Sequence, residues 1–180
     1  MVINVARRAL MVVLATAVTG AVTTSAGAVT TSKLVLTSTA FADDGDIPVQ
    51  YSCAGEGVSP PLAWKGVPKG TKELALVVDD PDAPSGTFTH WVLAGITPST
   101  TSIAQGATPP GAYVGNASTG RPGYVPMCPP AGPAHHYVFT LYALKKKVEL
   151  PPGADAAALR TAMKGKISKR AELIGLFART

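Results

Sequence analysis

The chain carries only three histidines, His90, His135 and His136, and each stands beside other residues able to do chemistry. His90 opens the apolar run His-Trp-Val-Leu-Ala-Gly-Ile, shortly after Asp79-Asp80-Pro81-Asp82-Ala83-Pro84. Carboxylates packed this closely repel one another and need donors or a cation nearby. Pro81 and Pro84 fix φ and stiffen the turn, so the acids are aimed rather than left mobile. Taken alone, the segment reads equally well as an acidic surface turn. His135-His136-Tyr137 enters a second apolar run. Side chains alternate across a strand, so His135 and Tyr137 share one face and His136 takes the other. Only one of the paired histidines can then enter a pocket.

Imidazoles, a phenol and carboxylates suit either anion binding or proton transfer. A phosphate needs converging donors, which His nitrogens, a Tyr hydroxyl and loop N–H groups provide. Catalysis would also need an activated nucleophile or a metal. Ser85 is the nearest serine to the acidic turn and lacks a nucleophile elbow. Neither HxxxH nor HxD spacing occurs, which argues against a metal site. The expectation is a binder, not an enzyme, with no cofactor.

These residues must be held by strands. Lys33–Ser38, Ile47–Tyr51, Glu73–Asp79 and His90–Ile96 are rich in β-branched residues and separated by Pro/Gly turns, so each reads as a strand. His136–Leu144 is apolar on both faces and should run through the centre of the sheet. Helix signals are good only over Asp155–Met163, and Ala171–Arg179 reads as a closing strand. Between Pro109 and Pro133, twelve of 25 residues are Pro or Gly. A linker is one reading of that stretch. The good core strand that follows favours a binding loop inside one domain.

The first residues read as an address. Arg7 and Arg8 precede an uncharged run over Ala9–Ser32, apolar at first and then rich in Ser and Thr, with Ala26-Gly27-Ala28 as a small-x-small cleavage pattern. We expect a secretory signal over residues 1–28 and one exported domain over 29–180, secreted or held in the periplasm or cell envelope. An uncleaved anchor is the alternative reading. No Cys lies near the segment, which argues against a lipoprotein.

Of 180 residues, 46% are hydrophobic, which excludes a disordered chain. Aromatics at 6% argue against a base-stacking surface, and no nucleic-acid partner is expected. The net charge of +5 is uneven: residues 145–180 hold nine basic and three acidic residues. Such a tail could touch anionic lipid, although a solvated helix face is the plainer reading.

Taken in order, Asp80-Pro81-Asp82-Ala83-Pro84, His90-Trp91, Pro129-Pro130 and His135-His136-Tyr137 resemble the phosphatidylethanolamine-binding protein family, in its bacterial Raf-kinase-inhibitor-like branch. Val58–Trp64 and Tyr137–Leu144 add to the likeness, which spans roughly Leu34 to Arg179. The resemblance implies a mainly β fold of two packed antiparallel sheets with one or two short C-terminal helices. It also implies a small anion pocket for a phosphate-containing molecule or lipid headgroup such as phosphorylethanolamine. Carried over, Asp80, His90, His135 and Tyr137 line the pocket, and Pro84, Pro129 and Pro130 shape its walls. Asp82 either joins them or holds the turn. The family's habit makes Ala83-Pro84 an expected cis bond.

Two departures stand out. Met127 precedes Cys128-Pro129-Pro130 where that branch usually has Pro, which puts the pocket rim in question. His136 replaces a basic residue, so any ion pair there becomes pH-dependent. The family also includes protein inhibitors, which makes a secreted regulator of a protease or other partner, acting through the pocket rim, the alternative function. Cys53 and Cys128 are the only cysteines. Export favours a bridge between them over two buried thiols.

Overall fold

A computed structural model describes residues 33–179 together with Met1 and Val2. The secretory signal expected over residues 1–28 lies, apart from those first two, outside the described residues. The strands are β1 (Val35–Thr37), β2 (Gly45–Asp46), β3 (Leu62–Lys65), β4 (Glu73–Asp80), β5 (Phe88–Ile96), β6 (Ser102–Ile103), β7 (Tyr113–Val114), β8 (His135–Leu144) and β9 (Ile167–Phe177). One α-helix, α1 (Ala156–Ala162), lies between β8 and β9.

Alternation sorts these strands into two sheets. The larger has the order β2-β9-β8-β4-β5-β7 and the smaller β1-β3-β6. Leu74, Leu76 and Val78 of β4 point into the core between the sheets, with Trp91 and Leu93 of β5 and Phe139 and Leu141 of β8. Ala75 and Val77 point the other way and pack with Val92, Leu159 and Met163. Both faces of β4 are therefore covered, as a run of apolar residues without alternation requires. All pairings are antiparallel except the short β2–β9 contact. The expected mainly β fold of two packed sheets with a short helix is what forms.

Helix α1 matches its sequence signals. Asp155 caps it by accepting the Ala158 N–H at 2.9 Å. Leu159 and Met163 bury one face, and the helix ends before Gly165, which sits at φ 71°.

Three expectations shift. Ile47–Tyr51 is not a strand: Pro48 offers no N–H, and the Tyr51 and Ser52 N–H groups turn back onto the Pro48 and Val49 carbonyls in a 3-10 turn over Val49–Tyr51. The closing strand begins at Ile167, not Ala171, because β9 pairs along the whole of β8. Polar residues at its start, Ser168, Lys169 and Arg170, hid the strand from a hydrophobic reading. The Ala83-Pro84 bond is trans, as are all described peptide bonds. Its turn closes through Gly86 N–H to the Ala83 carbonyl and the Asp82 N–H to Asp80 Oδ1, with Gly86 at φ 93°.

The Pro/Gly-rich stretch is a loop within the domain. It runs along the free edge of β5: Tyr113 and Val114 pair with Ala94 and Leu93, and Gly115, Ser118 and Val125 donate N–H bonds to Val92, Thr89 and His90. The edge is thereby covered, and prolines prevent a further strand from adding. A disulfide joins Cys53 to Cys128 at a Cα–Cα distance of 5.4 Å and ties the loop's far end beside Tyr51 and Ser52. Next to it, the Cys53 N–H bonds the Met127 carbonyl at 3.0 Å.

Candidate functional site

The three clustered carboxylates do not share one space. Successive side chains of β4 point to opposite faces, and each acid meets a different partner. Asp79 faces the helix side, where it accepts the Thr89 hydroxyl at 2.7 Å and pairs with Arg160 of α1. Asp80 faces the other way and accepts His135 Nδ1 at 2.8 Å through Oδ2 and the Asp82 N–H at 2.9 Å through Oδ1. Asp82, past the strand end, takes both the backbone N–H and Nδ1 of His136 at 2.8 and 2.7 Å. Those two bonds hold its carboxyl below the usual carboxylate range. The same alternation sends Thr89 of β5 to Asp79 and His90 to the pocket side.

His90 and His135 come from β5 and β8, strands that flank β4 on opposite sides. Each uses Nδ1 on the protein. His90 Nδ1 bonds the Val125 carbonyl at 2.8 Å, and a carbonyl only accepts, so Nδ1 carries the proton. His135 Nδ1 donates to the Asp80 carboxylate. Both rings line one pocket, and neither Nε2 is sealed away. A neutral ring in this tautomer offers a lone pair at Nε2; a protonated ring offers an N–H. Burial pushes His90 below its ordinary value, outweighing the Val125 carbonyl and the attraction of Asp80 and Asp79. At neutral pH its Nε2 is an acceptor.

The pocket has a volume of about 180 Å³. Asp80 and the two imidazoles supply its polar side, while Pro84, Phe88, Val125, Pro126, Pro129 and Pro130 make apolar walls. Cys128, one half of the disulfide, also lines it. No Lys or Arg does. Arg179, outside the lining, reaches the pocket wall, its Nη1 3.7 Å from Cys128 Sγ.

Of the residues expected here, Asp80, Pro84, His90, Pro129, Pro130 and His135 line the pocket. Asp82 does not; it holds the turn against His136, which lies on the outward face. Tyr137 also falls short of the lining. It is fully buried beneath, 5.2 Å from the His90 ring centroid, and its hydroxyl has no hydrogen-bond partner among the described residues. Desolvation and then the charges of Asp80 and Asp82 push that hydroxyl up. Phe88 was missed, although the period of two along β5 puts it on the face of His90, with ring centroids 4.7 Å apart. Met127 is not on the rim but wholly in the core.

A larger groove of about 490 Å³ runs between β1 and β9, lined by Lys33–Ser38 and Arg170–Leu173 among others. It gathers no imidazoles and no buried acid, so the chemistry belongs to the smaller hollow. Among the described residues, no group of three or more His, Cys, Asp or Glu could hold a metal ion.

With this geometry in place, comparison with known proteins is direct. The family model described as phosphatidylethanolamine-binding protein matches residues 37–178. The chain belongs to that family. A Mycobacterium tuberculosis protein named as a candidate lipoprotein, LppC, is 49% identical over 145 residues, covering 80% of this chain and 72% of its own. A UPF0098 protein of Methanothermobacter thermautotrophicus is 46% identical over 149 residues, covering 80% of this chain and 98% of its own. Among solved structures, a phosphatidylethanolamine-binding protein homologue from Chlamydia trachomatis, CT736, superposes with a TM-score of 0.79 at 38% identity, over 83% of this chain and 99% of that one. E. coli YbcL, described as a new member of the mammalian PEBP family, gives 0.78 at 28% identity, over 83% and 100%.

Proposed function

We propose that the protein is an exported, non-catalytic binder of small anions, with phosphorylated headgroups of the phosphorylethanolamine class as its ligands. The observation that carries this reading is the pair of imidazoles from separate strands, each held through Nδ1 and both lining one small hollow. Protonated, the two Nε2–H groups form a fork for a phosphoryl or sulfuryl group. Asp80 beside the anion is then not misplaced: it sets the His135 ring and balances its charge. It also offers an acceptor to the ammonium of a zwitterionic headgroup. The volume is below the roughly 300–1,000 Å³ of drug-sized sites, which suits a headgroup and not a whole lipid.

No activated nucleophile supports catalysis here: besides the imidazoles and Asp80, the lining is prolines, Ala83, Phe88, Val125 and the disulfide-bonded Cys128. Export rests on the residues before the domain, and the relative named as a lipoprotein supports an envelope location. Isothermal titration of phosphorylethanolamine into the wild-type protein and into His90→Gln and His135→Gln tests the reading. Binding that weakens about tenfold or more in each variant supports it, since a lost charge-assisted hydrogen bond is worth roughly 1.5–3 kcal/mol. Equal affinity in all three would contradict it.

A further inference from the structure

The sheet that places the pocket at one end gathers a different chemistry at the other. β8 begins at His135 in the pocket and ends at Leu144, where Lys145, Lys146 and Lys147 follow. Three chain segments meet there. The Lys72 N–H bonds the Leu144 carbonyl, the Lys145 N–H bonds the Lys166 carbonyl, and β9 opens with Ile167 opposite Leu144 and Lys169 opposite Ala143. Lys164 closes the turn after α1. Lys72, Lys145, Lys146, Lys147, Lys164 and Lys169 are all exposed, and Lys166 is half-buried with its Nζ on the Lys147 carbonyl. Against them stand Glu149, exposed, and Glu73, buried and bonded to the Val148 N–H.

One apolar side chain interrupts this surface. Ile167, 41% exposed, is one of four large hydrophobic residues exposed among those described. It sits within the lysines, between Lys166 and Lys169. An exposed isoleucine on a strand end where exposed lysines gather matches the chemistry of a bilayer interface: the cations meet lipid phosphates while the apolar group enters the acyl boundary. Exposed aromatic side chains for stacking bases are missing from this end, which disfavours a single-stranded nucleic acid.

We infer that the lysine-rich end of the central sheet, with Ile167 at its middle, is a docking face for an anionic phospholipid bilayer. Nine residue steps of extended β8 separate it from His135, about 30 Å. A protein seated this way turns its pocket to the water, so the pocket draws its ligand from solution and not from the bilayer under the lysines. The docking face and the anion pocket share no residue and stand or fall separately.

Flotation with vesicles tests this on the protein as recovered after export. Expected are co-flotation with vesicles of phosphatidylcholine mixed with phosphatidylglycerol, little with phosphatidylcholine alone, and loss in high salt. K145Q/K146Q/K147Q should weaken binding on the order of 100-fold, since each lysine near an anionic surface contributes about 1 kcal/mol. Arginine at the same three positions should restore it, and the unfolding transition of each variant shows that the fold is kept. Equal flotation on both vesicle types, no flotation, or no loss in the glutamine variant would overturn the inference. So would tight binding of duplex DNA without flotation, which would assign the face to nucleic acid.

Discussion

At the scale of single residues, His90 sets how the site depends on pH. Burial favours its neutral ring, so the folded protein resists a proton that the unfolded chain takes up near pH 6.5. The stability this residue allows is full above that pH and falls as the pH drops below it. Anion binding has the opposite sign. An anion accepts from Nε2 only when the ring carries its second proton, so the ligand raises His90's affinity for protons. Affinity for sulfate, whose own charge is constant in this range, should climb as pH falls from neutral through about 6. In His90→Gln that slope should flatten. Titration in buffers of different ionisation enthalpy reads the same proton uptake directly. Asp80 is the other sensitive position. Replacing it by Ala leaves His135 and the Asp82 N–H without their acceptor and should cost about 3 kcal/mol in urea unfolding, as for one buried partner removed. Tyr137→Phe should do the reverse in the ligand-free protein, stabilising by about 1 kcal/mol because an unpaired buried hydroxyl is lost.

At the scale of elements, the site depends on a loop that behaves as a sheet edge. Val125 can orient His90 only because the Pro/Gly-rich loop follows β5 closely, and that approach needs Gly115. A Cβ there would stand 2.6 Å from the Ala154 carbonyl oxygen and 2.7 Å from Val92 Cγ1. Gly115→Ala should therefore destabilise by about 1–3 kcal/mol in a denaturant titration. The longer strands and the helix were legible in the sequence because each carries its own period or cap: β4, β5, β8 and α1 fall within one or two residues of their expected limits. The short strands β2, β3, β6 and β7 were not. Two to four residues hold no period, and only pairing partners distant in sequence, such as Leu36 against Trp64, make them strands. Ile47–Tyr51 failed for a local reason, since Pro48 begins a tight turn whatever the β-branched content around it.

At the scale of the whole molecule, the large sheet divides its chemistry by face and by end. Alternation on β4 and β5 sends Asp80 and His90 to the pocket and Asp79 and Thr89 to Arg160 on the helix side. That only one of His135 and His136 could face inward followed from the period of two; the choice of His135 came with Tyr137 and the family likeness. That Asp82 would pair with His136, and that Tyr137 would lie under the pocket and not in it, depended on loop geometry that no sequence period carries. The Cys53–Cys128 bond ties the pocket wall to the segment after the 3-10 turn across 75 residues. Cys53→Ser/Cys128→Ser should lower stability by about 4 kcal/mol on the loop-entropy account, measured by thermal or urea unfolding without reductant. The central claim, that the two imidazoles converge on one anion, is tested most directly by a crystal structure soaked with phosphorylethanolamine. The account predicts its phosphoryl oxygens within hydrogen-bond distance of Nε2 of both His90 and His135. A phosphoryl group bound elsewhere on the molecule, with that hollow unchanged, would contradict it.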